Sequence, residues 1–488
     1  VYHYDNTTLL QKSVRFPVIG KYLGQLLVIL AALSIVPLAF SLLFMEYDFT
    51  VRFMIVEAIL LATGLPLMRI NASANIQTNE GLVVTGFIFI LSPLVMTIPM
   101  MGNGMNFINA LFESVSAFTT TGLSVATELQ QQPLTFLFAR AYMQWIGGLG
   151  IVVLTIALLL KPGAYLRKLI ELDEKDDIVS STRTYARRIM AVYILLTVIG
   201  TCIIWIATGD LFNAVTHAFT AVSTGGFSNY DNSLAGLQSS IAMVSVISGC
   251  FLGALPLLLY FRLHQTGLSA LFHDTQVRAM VFFVACITIL LTLIFLYEIR
   301  IPFSDALFHA LLITISAQTT AGFTSIEITH IGLHGMLVIM VAMVIGGALG
   351  STAGGVKLFR ILIFWRALQH MLRKTAAIPH AVIKPSLGSK NLETDEINKA
   401  LLVILLFIIT VFFAWLVFLY SGHQPLAALF EVVSATATVG LSSGITDSEL
   451  SSYLKLVLCA CMLLGRLEFI ALLILVYPST WTIRRTNA

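Results

Sequence analysis

Thr120, Gly122, Thr224, Gly226, Thr320, Gly322, Thr438 and Gly440 stand in the same order inside four nine-residue stretches that align without gaps. The stretches are 116–124, 220–228, 316–324 and 434–442. Each runs Thr, a variable residue (Thr121, Gly225, Ala321 or Val439), Gly, then Leu123, Phe227, Phe323 or Leu441, then a hydroxyl residue. The chemistry such residues can do is cation coordination by neutral oxygen. A dehydrating cation needs oxygen ligands, and stacked peptide carbonyls supply them. Aiming successive carbonyls at one axis takes unusual dihedrals, which Gly tolerates at little steric cost, and a Thr hydroxyl adds a further oxygen at the inner end. The absence of a carboxylate ring suits a monovalent ion, since divalent ions favour carboxylate ligands. A single Thr-x-Gly would signal only a helix C-cap. Four equivalent copies imply a pseudo-fourfold ring.

The elements that must position these loops are membrane helices. The chain has 488 residues, 58% apolar and 11% charged, with a mean hydropathy of +0.91. A soluble globular chain is typically about 45–50% apolar and about 25% charged, so a soluble enzyme, a disordered chain and a secreted disulfide scaffold are all excluded. The net charge of +3 and the lack of a basic domain argue against a nucleic-acid binder. Five cysteines show neither paired nor metal-ligand spacing. A spanning helix needs roughly 20 apolar residues, and ten segments qualify: 22–45, 51–70, 81–101, 134–160, 187–208, 239–262, 278–298, 332–356, 400–420 and 453–478. Four further apolar runs, 106–118, 210–222, 303–318 and 425–437, are too short to cross and read as re-entrant helices. The predicted fold is therefore all-α and polytopic: a two-helix extension over 1–75, then four repeats of helix, short helix, loop and helix over 76–165, 180–265, 275–375 and 395–484.

Of 28 basic residues, 23 fall in the termini and in alternate loops around 69–80, 161–188, 262–278 and 357–399. By the positive-inside rule both termini are cytoplasmic and every short segment opens from outside. The outer loops instead carry acids such as Glu46, Glu128, Asp210, Asp231 and Asp447, which would concentrate cations at a mouth. A short helix that enters from outside and stops at mid-membrane points its C-terminal end, about half a negative charge, at the centre.

Two features beneath the loops read as a gate. Residues 346–355 hold Gly346, Gly347, Gly350, Gly354 and Gly355 with Ser351 and Thr352 between them. Each Gly costs about 1 kcal/mol relative to Ala in a helix, so a flexible intramembrane loop is expected, with close helix packing as the alternative. Arg466 lies inside the last span, where an ionised side chain is costly and marks function. Glu468 is a poor partner for it, because residues two apart do not share a helix face. Gly147, Gly148 and Gly150 read as helix packing.

On these loops, the glycine-rich break in the third repeat and Gly465-Arg466-Leu467-Glu468, the sequence resembles the TrkH/TrkG-type potassium translocation subunits of the TrkH–KtrB–HKT superfamily. The resemblance covers essentially the whole chain. It implies a filter at Thr120–Leu123, Thr224–Phe227, Thr320–Phe323 and Thr438–Leu441, with K⁺ as the transported ion. Na⁺-permeable members often carry Ser at the first filter Gly, whereas all four glycines are present here. It implies a gate at the glycine-rich loop, with Arg466 facing the pore below the filter. It implies a bacterial cytoplasmic (inner) membrane location, a homodimer, and a peripheral TrkA-type subunit that binds NAD or adenine nucleotides (ATP/ADP), no cofactor being expected in this chain itself. One departure concerns the third repeat, where Phe308 lies fourteen residues before Gly322 while Phe112 lies ten before Gly122.

Two alternatives stay open at this stage. One is a K⁺ symporter coupled to H⁺ or Na⁺, with Glu57 in the second span as its carboxylate. Another is a Na⁺-permeable member of the same superfamily. An intramembrane enzyme is disfavoured, because no His-Glu-x-x-His and no Ser/His pair stands in the spans.

Overall fold

Residues 13–73, 75–159, 178–267, 269–376, 385–387 and 390–481 are described by the computed structural model. Most of the basic loop 161–188 and part of 357–399 lie outside them. The chain adopts the all-helical, multi-span architecture that its apolar runs predict. A two-residue β ladder, Ser386–Leu387 against Lys390–Asn391, is its one small strand pairing among the described residues. Helices α1 (Phe16–Leu43) and α2 (Tyr47–Met68) form the extension. Their backbones approach closely: a Cβ at Gly24 would overlap the Met68 amide nitrogen, the small-residue packing that membrane helices favour.

The four repeats follow. The first is α3 (Thr78–Met100), α4 (Phe107–Phe118) and α5 (Leu134–Leu159). The second is α6 (Ile178–Thr208), α7 (Leu211–Val222) and α8 (Ser240–Gly253), continued by the short helices α9 (Leu259–Thr266) and α10 (Ser269–His273). The third is α11 (Thr275–Ile294), α12 (Phe303–Gln318), α13 (Gly332–Ile345) and, after a break, α14 (Leu358–Thr375). The fourth is α15 (Thr394–Tyr420), α16 (Pro425–Thr436), α17 (Ser452–Arg466), α18 (Ile470–Val476) and α19 (Pro478–Trp481). Among the described helices, α1, α2, α3, α6, α11 and α15 are long and apolar enough to cross a membrane.

The expectation of ten uninterrupted spans needs correction at two places. The span 239–262 stops at Gly253, and Pro256 three residues on lacks the amide a continuous helix would use. The span 453–478 bends by 111° between α17 and α18. There Glu468 (φ 53°) and Phe469 (φ 64°) leave the helical region. The third interruption, between α13 and α14, falls where the glycine run predicts one.

The short helices start where local chemistry starts them. Asn106 accepts a hydrogen bond from the Asn109 amide (2.9 Å) and Asp210 from the Asn213 amide (3.1 Å), as N-caps do. Pro425 occupies the first turn of α16. Helix α12 is four residues longer than its three counterparts. That extra turn explains why Phe308 is out of register with Phe112. Buried apolar side chains from α4, α11, α12, α13, α15, α16 and α17 form the largest core, and Ala214, Ala218 and Ala221 of α7 lie in a smaller one, so the short helices are held inside protein.

Candidate ion pathway

The four loops close a ring. A Cβ built on Gly122 would overlap the carbonyl oxygen of Gly225. One on Gly226 would overlap that of Ala321, one on Gly322 that of Val439, and one on Gly440 that of Thr121. Each repeat's glycine thus abuts the next repeat's variable residue, and the fourth returns to the first. This close approach, together with φ of 76–90° at all four, is what requires glycine.

Each short helix ends identically. The amides of Thr120, Thr224, Thr320 and Thr438 donate to the carbonyls of Ala117, Ala221, Ala317 and Ala435 at 2.9–3.2 Å. Those of Thr121, Gly225, Ala321 and Val439 donate to Ser116, Thr220, Ser316 and Ser434 at 2.7–2.9 Å. This is a Schellman motif, normally completed by a left-handed Gly. Here the left-handed residue is Thr, with φ of 50°, 52°, 55° and 52°. A β-branched residue with positive φ is a true outlier, costing about 1–3 kcal/mol, and such strain clusters at functional sites. The loop glycines therefore are not the helix caps; the threonines are. Among the described residues no hydrogen bond uses the carbonyl oxygens of these four threonines or four glycines. Thr120 and Thr438 also carry buried hydroxyls without a partner.

Behind the ring lie residues that sequence reasoning missed. Glu113 is fully buried and accepts from Ser124 Oγ (2.7 Å), the Val125 amide (2.7 Å) and Arg140 Nε (2.9 Å). The Arg140 guanidinium lies 4.0 Å from the ring centroid of Phe227, in the neighbouring loop. Glu431, nine residues before Gly440 as Glu113 is before Gly122, accepts from Ser442 Oγ (2.9 Å), the Ser443 amide (2.8 Å) and Thr446 Oγ1. His217 takes this place in the second repeat, with Nε2 3.1 Å from Ser228 Oγ. Gln144 clamps the second loop, donating to Gly225 O (2.6 Å) and accepting from the Phe227 amide (3.1 Å). Lys455 Nζ reaches Asn109 Oδ1 (2.8 Å), tying the fourth repeat to the first. Of the loop acids named from the sequence, Glu46 accepts from the Leu134 and Thr135 amides at the start of α5 (both 2.9 Å) and Asp210 caps α7.

Beneath the ring, residues 346–357 form the break. Gly346, Gly350, Gly355 and Lys357 adopt positive φ of 68–79°. Ser351 Oγ turns back to Ala348 O (2.6 Å). Thr352 Oγ1 lies 3.0 Å from both Val222 O and Gly253 O. The Gly354 amide donates to Thr320 Oγ1 (2.6 Å), and the Gly355 amide to Ala437 O (2.9 Å). Arg466, buried, donates to Thr352 O (2.8 Å) and to Gly147 O (3.4 Å). Glu468 pairs with Arg360 at the start of α14. Gly147 packs on the end of α4, where a Cβ would overlap Phe118 O. Gly465 meets Thr436 O in the same way. Glu57 is remote from all of this in the hydrogen-bond pattern; its carboxylate accepts from Ser34 Oγ of α1 (2.7 Å). Among the described residues no cluster of His, Cys, Asp and Glu is able to hold a metal.

Comparison with known proteins yields one consistent result. The family model TrkH, described as a cation transport protein, matches residues 48–483. The chain is 30% identical to the Trk system potassium uptake protein TrkH of Halomonas elongata, covering 94% of this chain and 98% of that one. It is 28% identical to an uncharacterised cation transporter of Methanocaldococcus jannaschii, over 93% and 94% of the two. The crystal structure of the potassium transporter TrkH from Vibrio parahaemolyticus superposes with a TM-score of 0.85 at 25% identity, covering 96% of this chain and all of that one.

Proposed function

The chain belongs to the TrkH cation transport family, and on that premise we propose that it is the ion-conducting membrane subunit of a Trk-type potassium uptake system. The observation that carries this reading is the closed cycle of four glycine contacts, because it gathers into one ring four loops whose threonine and glycine carbonyl oxygens have no protein partner among the described residues. A buried peptide oxygen without a partner is costly, and a partly dehydrated cation is the ligand that such oxygens serve. Thr120–Leu123, Thr224–Phe227, Thr320–Phe323 and Thr438–Leu441 are the filter, entered from the outer face between four re-entrant short helices. The ten crossing segments surround it with pseudo-fourfold symmetry, and both termini are cytoplasmic. The carboxyl ends of α4, α7, α12 and α16 favour a cation at the centre.

Residues 346–355 with Arg466 are the gate. The loop spans the floor under the ring, and a fixed positive charge there raises the barrier to cations while the loop is seated. The relatives' description as Trk potassium uptake proteins supports potassium as the ion. A second copy of the chain and a nucleotide-binding cytoplasmic subunit complete the system in this reading.

The test is ion flux in liposomes holding the purified protein. K⁺ should pass in preference to Na⁺, with currents reversing at the K⁺ Nernst potential. Gly122→Ser should then lower that preference, since any side chain at 122 meets Gly225 O at φ 87°. Undiminished K⁺-over-Na⁺ preference in Gly122→Ser would remove the filter assignment.

A further inference from the structure

The donors of the gate loop hold oxygens of one kind. Thr352 Oγ1 lies against Val222 O, the last carbonyl of α7, and against Gly253 O. The Gly355 amide caps Ala437 O, at the C-cap of α16. The Gly354 amide caps the hydroxyl of Thr320, while Thr352 Oγ1 lies 3.3 Å from that of Thr224. A Cβ on Gly354 would overlap Thr438 Oγ1. So three of the four ring threonines are touched from below, and two of the four short-helix ends are capped. Helix ends and ring hydroxyls are where the electrostatics of this fold place a cation. The loop brings the Thr352 hydroxyl to Val222 O and the Gly354 and Gly355 amides to Thr320 Oγ1 and Ala437 O, the Thr224 hydroxyl donates to Thr352 Oγ1, and the Arg466 guanidinium stands directly behind Thr352.

We propose that residues 352–355 are a tethered competitor for the innermost cation site, so that K⁺ itself acts as an opening ligand. An ion that takes these oxygens removes the acceptors of the seated loop, and a seated loop removes the oxygens of the ion. A ligand that binds one of two states shifts the balance toward it by its differential affinity. Conduction then depends on K⁺ twice, once as cargo and once as the group that unseats the loop. This rests on the channel reading above and adds to it a regulatory role for the permeant ion.

The experiment is K⁺ flux in liposomes holding the full chain, followed as K⁺ is raised at constant ionic strength with Na⁺ as the replacement. The wild type should show flux rising more steeply than in proportion to K⁺ at low concentration. Thr352→Val, which removes the loop hydroxyl and with it a single 3.3 Å contact to the Thr224 hydroxyl of the filter, should raise flux at low K⁺ by roughly two- to tenfold, the range covered by one neutral hydrogen bond. Its flux should rise in simple proportion to K⁺. Gly354→Ala, whose Cβ prevents seating, should act in the same direction. Both should keep the wild-type preference for K⁺ over Na⁺. Proportional flux in the wild type overturns the proposal without either variant. Unchanged or reduced low-K⁺ flux in a monodisperse variant also overturns it. Wild-type protein without K⁺-over-Na⁺ preference would instead overturn the channel reading, and this proposal with it.

Discussion

Glu113 and Glu431 hold the same register, nine residues before the ring glycines of their repeats, yet among the described residues only Glu113 faces a cation. Both brace the chain just beyond the ring: Glu113 grips Ser124 and Val125, and Glu431 grips Ser442 and Ser443. Each carboxylate therefore fixes how its loop leaves the axis. The Glu113–Arg140 pair is almost wholly shielded, at 0% and 2% side-chain exposure. Removing one member of such a pair leaves an uncompensated buried charge and costs about 3–5 kcal/mol, while replacing both costs far less. Glu113→Gln and Arg140→Met are each expected to lower stability by that amount. The double variant should lose clearly less than their sum, as coupled neighbours do. Denaturant midpoints in detergent measure this cycle, and strictly additive losses would show that the pair does not couple. The stretches 109–113 and 427–431 both end in Leu-Phe-Glu, but nothing local in them tells what the carboxylates hold. Arg140 carries the same signal that singles out Arg466, an arginine inside a spanning run, and the rule applies equally to it.

At the scale of elements, the return helices differ. α5 runs unbroken past Gly147, whereas α8 stops at Gly253, α13 at Ile345 and α17 at Arg466. Gly147, Gly347 and Gly465 each lie twenty-five residues after the ring glycine of their repeat, in α5, in the break after α13 and in the last turn of α17. The sequence shows the loops well because glycine marks their positive-φ position four times over, although the left-handed threonine at each helix end runs against local preference. It shows the break at 346–357 for the same reason. The α17–α18 bend is invisible, because Leu467, Glu468 and Phe469 include no helix breaker. The ion pair of Glu468 with Arg360, 108 residues away, accompanies the break. Tertiary contact overrides local propensity there. The bend leaves Arg466 as the last residue of α17, pointing at the Thr352 carbonyl. Replacing it by Ala removes a charge-assisted hydrogen bond, worth about 1.5–3 kcal/mol, together with a fixed positive charge. Arg466→Ala is expected to raise resting K⁺ flux by at least about tenfold, since 1.4 kcal/mol is a factor of ten. Single-channel recording of the variant would detect the rise as open probability, and an unchanged or lower value in folded protein would remove Arg466 from the gate.

For the whole molecule, the ring is assembled from contacts that no local reading supplies. Lys455 and Asn109 meet across 346 residues of chain, and Gly440 meets Thr121 across most of the protein's length. Four copies of one loop imply symmetry, but the order of neighbours around the ring emerges only from packing. The same global view separates the channel reading from ion-coupled symport. A coupling carboxylate must lie where it senses the transported ion. Glu57 lies on α2, in the extension that precedes the four repeats, and its hydrogen bond is to Ser34 of α1, in that same extension. Its local role is to join the two helices through a side-chain bond inside an apolar setting. Glu57→Gln keeps an acceptor for the Ser34 hydroxyl and is expected to leave both K⁺ flux and its reversal potential unchanged. In the wild type and the variant alike, imposing a pH gradient across the liposome should leave reversal at the K⁺ Nernst potential. A reversal potential that follows the proton gradient in the wild type and ceases to do so in Glu57→Gln would establish coupled transport and place the carboxylate in its path.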